Sequence, residues 1–310
     1  MENRRIPIII DVDTGTDDAI CIICALHSRE WLDIRGFTAV SGNVGLDRTS
    51  KNTLNLLRCL GDGSTVALGA DKPLVRNANA AAIHGMSGLG DVVLPEAEPN
   101  FDPRPAYELI YEEAVKAEGR LHLLCTGPLT NLATAVQKHP DLPKLVERVT
   151  IMGGSLCGGN MSAAGEFNIW WDPEAAKIVF DAGFDLTMVG LDVTLKPQLP
   201  KYVEDFVSTL HTPDAEIVTT IMGYLRKVSA LMCVNETNLH DVIALAALLH
   251  PEMMTFKDYR VDIETEGRLT RGMTVVDYLN PVKIPPNTHV AVDIDVNEFW
   301  YWFMNTLEKI

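Results

Sequence analysis

The chain has 310 residues, 47% hydrophobic and 22% charged, an ordinary globular composition with material for a large core. Its formal net charge of -16 argues against a polymeric nucleic-acid partner, which is recognised through clustered Lys and Arg; a small ligand, neutral or with its charge met by a metal, remains compatible. No apolar run reaches membrane-spanning length and no apolar leader core is visible, so the expectation is a cytoplasmic protein with no membrane partner.

Strand and helix patterns alternate from the start. Strands are expected at 7–11, 34–40, 65–68, 121–125, 149–152 and 186–189, with helices at 17–27, 49–60, 105–117, 129–138 and 173–181. Residues 200–250 read as mostly helical, followed by strands at 259–264, 271–276 and 289–293 and a last helix. This order implies an α/β fold: an open, mainly parallel, Rossmann-like sheet flanked by helices, with antiparallel edge additions near the C-terminus. No linker-like stretch or internal repeat divides the chain, so 1–310 is expected to be a single domain. In such sheets ligands bind beyond the carboxyl ends of the strands.

The six cysteines lie mostly in apolar runs, which suits reduced core thiols. Cys21 and Cys24 form a CxxC, but inside a helical pattern and with no second pair, so packing is expected rather than redox chemistry or zinc.

The run Asp11-Val12-Asp13-Thr14-Gly15-Thr16-Asp17-Asp18 places four carboxylates between the end of an apolar strand and the first turn of a helix. Capping and the helix dipole accommodate one or two acids there; four raise each other's pKa unless a cation or proton neutralises them. Oxygen ligands of this charge suit calcium or magnesium rather than zinc. The same turn also suits a haloacid dehalogenase-type, magnesium-dependent phosphatase, and by itself it leaves both readings open.

Later segments separate them. Ser41-Gly42-Asn43, His84-Gly85-Met86-Ser87-Gly88, Thr126-Gly127-Pro128-Leu129-Thr130-Asn131, Asn160, Glu166-Phe167-Asn168, Asp172-Pro173-Glu174 and His240-Asp241 follow in one order. With the DxDxGxDD-like opening, they resemble the inosine-uridine preferring nucleoside hydrolase family over nearly the whole chain. The phosphatase reading finds only Gly61-Asp62-Gly63-Ser64 as an echo of its later elements.

The resemblance implies hydrolysis of the N-glycosidic bond of ribonucleosides to ribose and free base, through an oxocarbenium-like transition state. It implies Ca2+ held by Asp13, Asp18, the Thr126 carbonyl and Asp241, with Asp13 as base for a calcium-bound water. It further implies that Asp17 bonds a ribose hydroxyl, that Asn43, Asn160, Glu166 and Asn168 hold the ribose, that His84 contacts the base or the 5′ end, and that His240 protonates the departing base. Polar groups built to hold a hydroxyl reject a sugar lacking it, so ribonucleosides are expected over 2′-deoxyribonucleosides. A homodimer or homotetramer is also implied.

The intact acidic set and His240 weigh against a non-catalytic nucleoside- or ribose-binding protein. Residues 85–90 are expected to close over the ligand. Trp170 and Trp171 are candidates to wall the pocket, and Tyr224 to pack on a helix; 223–238 leaves purine or pyrimidine preference open.

Overall fold

The protein is described by a computed structural model over residues 5–76, 84–233, 237–281 and 283–309. The first half alternates as expected: β1 (Ile6–Val12), α1 (Thr16–His27), β2 (Leu32–Ala39), α2 (Leu46–Cys59), β3 (Val66–Leu68), α3 (Ala106–Ala117), β4 (Leu121–Cys125), α4 (Thr130–Lys138) and β5 (Val146–Met152). Then come α5 (Phe167–Trp171), α6 (Pro173–Asp181), β6 (Leu186–Val189), α7 (Leu191–Thr194), α8 (Lys201–Ser208), α9 (Pro213–Leu231) and α10 (His240–Leu249). The chain ends in β7 (Met254–Ile263), β8 (Thr274–Asp277), β9 (Thr288–Ile294) and α11 (Val296–Glu308).

Among the described residues, nine strands form one sheet in the order β3-β2-β1-β4-β5-β6-β9-β7-β8. Pairing is parallel from β3 through to β9, and β7 runs antiparallel to both β9 and β8. The antiparallel additions are thus present, but β9 is inserted between β6 and β7 rather than placed at the edge.

β1 is central because both its faces are apolar. Ile8, Ile10 and Val12 join the core beneath α1, while Ile9 joins the core on the opposite face, as the two-residue repeat of a strand requires. Each such isoleucine contributes about 1.5–3 kcal/mol by leaving water. Asp11 shares the face of Ile9 and finds Thr38 Oγ1 and Asn131 Nδ2 there. Helix α1 is buried from Thr16 to Ala25 and packs against α10.

The core reading holds for Cys21, Cys24 and Cys125, which are buried; Cys59, Cys157 and Cys233 are exposed, and all six are free thiols. Cys59 ends a helix and Cys157 sits in a loop, places an apolar neighbourhood in sequence does not reveal. Among the described residues, no helix is long and apolar enough to cross a membrane.

Candidate active site

The carboxyl ends of the parallel strands deliver the functional side chains. The β1–α1 turn carries Asp13, Asp17 and Asp18, the residues after β2 carry Asn43, the end of β4 carries Thr126, and α5 and the start of α10 carry Asn168 and His240-Asp241. They converge on a cavity of about 290 Å³.

Asp18 is held by three hydrogen bonds. Its Oδ2 accepts from the Gly15 amide at 2.9 Å and from Asn43 Nδ2 at 3.1 Å, and its Oδ1 from Thr126 Oγ1 at 2.8 Å. Asp13 Oδ2 accepts from the Asn43 amide at 2.7 Å, whereas its Oδ1 is buried without a hydrogen-bond partner. Gly15 is needed for room rather than for backbone freedom, since a Cβ there would lie 2.6 Å from Asn43 Nδ2 and 2.8 Å from His84 Nδ1.

One carboxylate oxygen each from Asp17, Asp18 and Asp241 lie within 4.8 Å of one another. Burial raises the pKa of Asp13 well above the usual carboxylate range, and the neighbouring Asp18 and Asp17 add to it. Asp18 is pushed up to about 6 by burial and then by Asp17. Asp241 is raised by burial and by the surrounding charges of Asp17, Asp18, Asp13 and Glu166. Buried like charges at this distance, with one oxygen left unpartnered, form a donor set that a hard cation satisfies. The residues therefore fit a metal ion.

The expected ribose-binding residues line the same cavity, and each is already held in place. Glu166 caps α5, its carboxylate accepting from the amides of Asn168 (3.0 Å), Ile169 (3.2 Å) and Gly154 (2.9 Å); burial lifts its pKa to about 7. Asn168 Nδ2 donates to the carbonyls of Thr126 (2.7 Å) and Met152 (3.0 Å), which leaves its Oδ1 as an acceptor. The Thr126 carbonyl keeps a second lone pair for a metal. Asn160 Oδ1 accepts from the Phe167 amide at 2.9 Å.

His84 Nδ1 accepts from the Thr16 amide at 3.3 Å and contacts Thr16 Oγ1 at 2.8 Å. An acceptor Nδ1 puts the proton of the neutral ring on Nε2. Burial lowers the His84 pKa, Asp17 opposes this and His240 adds to it. His240 Nδ1 meets Thr194 Oγ1 at 2.8 Å.

Of the residues singled out in sequence, Asp17, Asn43, His84, Thr126, Asn160, Glu166, Asn168, His240 and Asp241 line the cavity, while Asp13 and Asp18 are buried and not part of its lining. Trp170 and Trp171 do not line it; Phe167, from the same short helix, does. Trp170 is packed against Gly272, and Trp171 is buried. Sequence reasoning set 223–238 aside as the stretch that shapes the base pocket without naming side chains; the wall there is made by Leu225, Val228 and Ser229 of α9, by Met232 just past its end, and by Thr237 and Asn238. Tyr224 packs on the loop at 84–90: a Cβ on Gly90 (φ +60) would lie 2.4 Å from its ring.

Strand ends that gather buried carboxylates, amides and histidines around one cavity suit a hydrolase, and comparison with known proteins settles which class. The family model for inosine-uridine preferring nucleoside hydrolase matches residues 8–301, and the chain belongs to that family. It is a hydrolase acting on N-glycosyl compounds.

The pyrimidine-specific ribonucleoside hydrolase RihA of Enterobacter sp. (strain 638) is 39% identical over 300 residues, covering 95% of each chain. That of Escherichia coli O81 (strain ED1a) is 41% identical over 303 residues, 95% of this chain and 96% of the other. Among solved structures, a purine-preferring ribonucleoside hydrolase from Gardnerella vaginalis superposes with a TM-score of 0.91 at 30% identity, over 97% of this chain and 98% of the other. A plant nucleoside hydrolase, PpNRh1, gives 0.92 at 28%, over 98% and 99%.

Proposed function

We propose that this enzyme hydrolyses pyrimidine ribonucleosides, with a calcium ion at the acidic floor, Asp13 as general base and His240 as the acid that protonates the departing base. The observation that carries this reading is the convergence of Asp17, Asp18 and Asp241 within 4.8 Å on one side of a cavity whose lining also includes His240. The preference for pyrimidines is supported by the relatives at about 40% identity, which are named pyrimidine-specific.

Asp13, Asp18, the Thr126 carbonyl and Asp241 would hold the ion; of these, Asp18 and Asp241 each offer an oxygen within 4.8 Å of one from Asp17. When bound, calcium supplies charge neutralisation and Lewis acidity beside the ribose.

Hydrolysis adds hydroxide to the anomeric carbon and a proton to the base nitrogen. Asp13 Oδ1 has no hydrogen-bond partner and is the atom available to take the proton of the attacking water. Asp17 accepts a ribose hydroxyl, and its charge supports the oxocarbenium-like sugar. Asn168 presents Oδ1 to a second hydroxyl because its Nδ2 is committed to two carbonyls. His240 delivers the other proton to the base, its ring oriented by Thr194.

The test is ribose release, read as reducing sugar, from uridine, cytidine, inosine and adenosine, with calcium and after chelation. Release from uridine and cytidine that stops on chelation and returns with calcium is expected. Binding of nucleoside without release would make the chain a non-catalytic binding protein; faster release from inosine would overturn the pyrimidine preference.

A further inference from the structure

The loop between β5 and α5 brings Asn160 to the cavity, yet its first residues are held from outside the site. Thr274 of β8, buried at 2% exposure, accepts from the Ser155 amide at 3.0 Å and donates to the Ser155 carbonyl. The next residue is gripped from two sides. The Leu156 amide donates to Asp192 of α7 at 2.6 Å, and the Tyr278 hydroxyl donates to the Leu156 carbonyl at 2.6 Å.

Four consecutive main-chain polar groups are thus bound by three side chains that lie 36, 119 and 122 residues away in sequence. A segment with Gly158 and Gly159 would otherwise hold many conformations. Beyond the grip the loop closes on itself: Ser155 Oγ reaches the Gly158 carbonyl, the amides of Met161 and Ser162 reach the Gly165 carbonyl at 3.2 Å each, and Asn160 takes the Phe167 amide.

We propose that Asp192, Thr274 and Tyr278 are positioning residues for the reaction: they clamp the main chain at Ser155 and Leu156 and so fix Asn160 at the cavity wall. This gives the antiparallel end of the sheet a part in catalysis, since Thr274 lies in β8 and Tyr278 directly follows it. The inference rests on reading Asn160 as a ribose contact. A site is as well placed as the groups that support it, and here the support comes from a sheet edge and a helix rather than from the loop itself.

Tyr278→Phe removes one hydroxyl and keeps the half-exposed ring that packs edge-on against Tyr259 at 5.5 Å. Asp192→Ala removes the acceptor, and Asp192→Asn retains one. For each variant, kcat and KM on uridine, the melting temperature and amide hydrogen exchange at 156–165 are measured.

Tyr278→Phe and Asp192→Ala are expected to lower kcat/KM roughly three- to tenfold at unchanged melting temperature, the scale of one lost hydrogen bond. Exchange in the loop should quicken, and Asp192→Asn should recover most of the loss. Both losses should vanish in an Asn160→Ala background. Wild-type kcat/KM in both variants, or losses that persist in full without Asn160, would overturn the proposal. Absence of ribose release from the wild-type protein would defeat the hydrolase reading separately; loop exchange then still decides, faster exchange supporting the clamp and unchanged exchange refuting it.

Discussion

The two sides of the cavity are built on different principles. The acidic side comes from strand ends and the first turns of helices, and its groups are cross-linked: Asp18 accepts three hydrogen bonds, from Gly15 in the β1–α1 turn, from Asn43 in the loop after β2 and from Thr126 at the end of β4. The other wall is one face of α9 and the residue after its end, where Leu225, Val228 and Met232 offer hydrocarbon and thioether, and Ser229 pairs its hydroxyl with Thr237 at 3.1 Å. Charge in a buried floor needs a rigid scaffold because a misplaced ion is costly. An aliphatic wall can change side chain by side chain without moving the backbone. Substitutions on the two sides should therefore differ in kind as well as in size.

The largest effect is expected at the floor. Asp13→Ala removes the proposed proton acceptor and one metal-holding group together, and should reduce ribose release by more than about 10³-fold. It should also weaken the thermal stabilisation that calcium gives, which for a ligand at 100 times its dissociation constant is about 2.7 kcal/mol. Full calcium stabilisation with lost turnover would leave Asp13 as a base alone. Retained turnover would remove it from the chemistry.

His240 lines the same cavity from the first position of α10, directly before Asp241. His240→Ala should slow uridine hydrolysis by about 10²- to 10⁴-fold, the range for a lost general acid. An aryl riboside whose leaving group needs no proton should be slowed far less. Equal losses on the two substrates would show that the imidazole positions rather than protonates.

The same contrast governs what could be read from the sequence. The floor was legible because Asp11, Asp13, Asp17 and Asp18 stand within eight residues, where like charges demand an explanation that local propensity does not supply. The wall was located only as the stretch 223–238, without its side chains, because Leu225, Val228 and Met232 carry the spacing of any core-facing helix stripe and only the fold shows that they face a cavity. The parallel sheet was legible from β1 onward because its buried strands are nearly continuous apolar runs. The insertion of β9 between β6 and β7 was not, since strand order depends on contacts between distant segments. Helices α5 and α7, five and four residues long, are too short to show a period. The anchoring of the Asn160 loop by Asp192, Thr274 and Tyr278 likewise has no local signature.

Glu166 offers a smaller test on the ribose side. Burial raises its pKa from the ordinary 4.5 to about 7, so the folded protein holds this proton more tightly than the unfolded chain. Its contribution to stability is then fully present below about pH 4.5 and is lost as pH rises toward 7. With chelator present, wild-type protein should lose on the order of 3 kcal/mol relative to Glu166→Gln across that window. Parallel pH profiles for the two proteins would mean that the capping amides of Gly154, Asn168 and Ile169 hold the carboxylate charged throughout.

The smallest effect is expected on the α9 wall, and it should appear as selectivity. Val228→Ala deletes two methyl groups from a surface that offers the base shape rather than charge. Contacts of this size change kcat/KM by about tenfold. If Val228 bounds the base subsite, uridine and cytidine should lose that factor while inosine, with its larger ring system, loses less or gains, so the pyrimidine-to-purine ratio falls. Because the backbone of α9 is unaltered and the acidic floor is not touched, calcium stabilisation and the melting temperature should stay close to wild type. A uniform loss on all nucleosides would instead place Val228 against the ribose or the helix packing, and the distinction between a charged floor and an exchangeable wall would then fail at this residue.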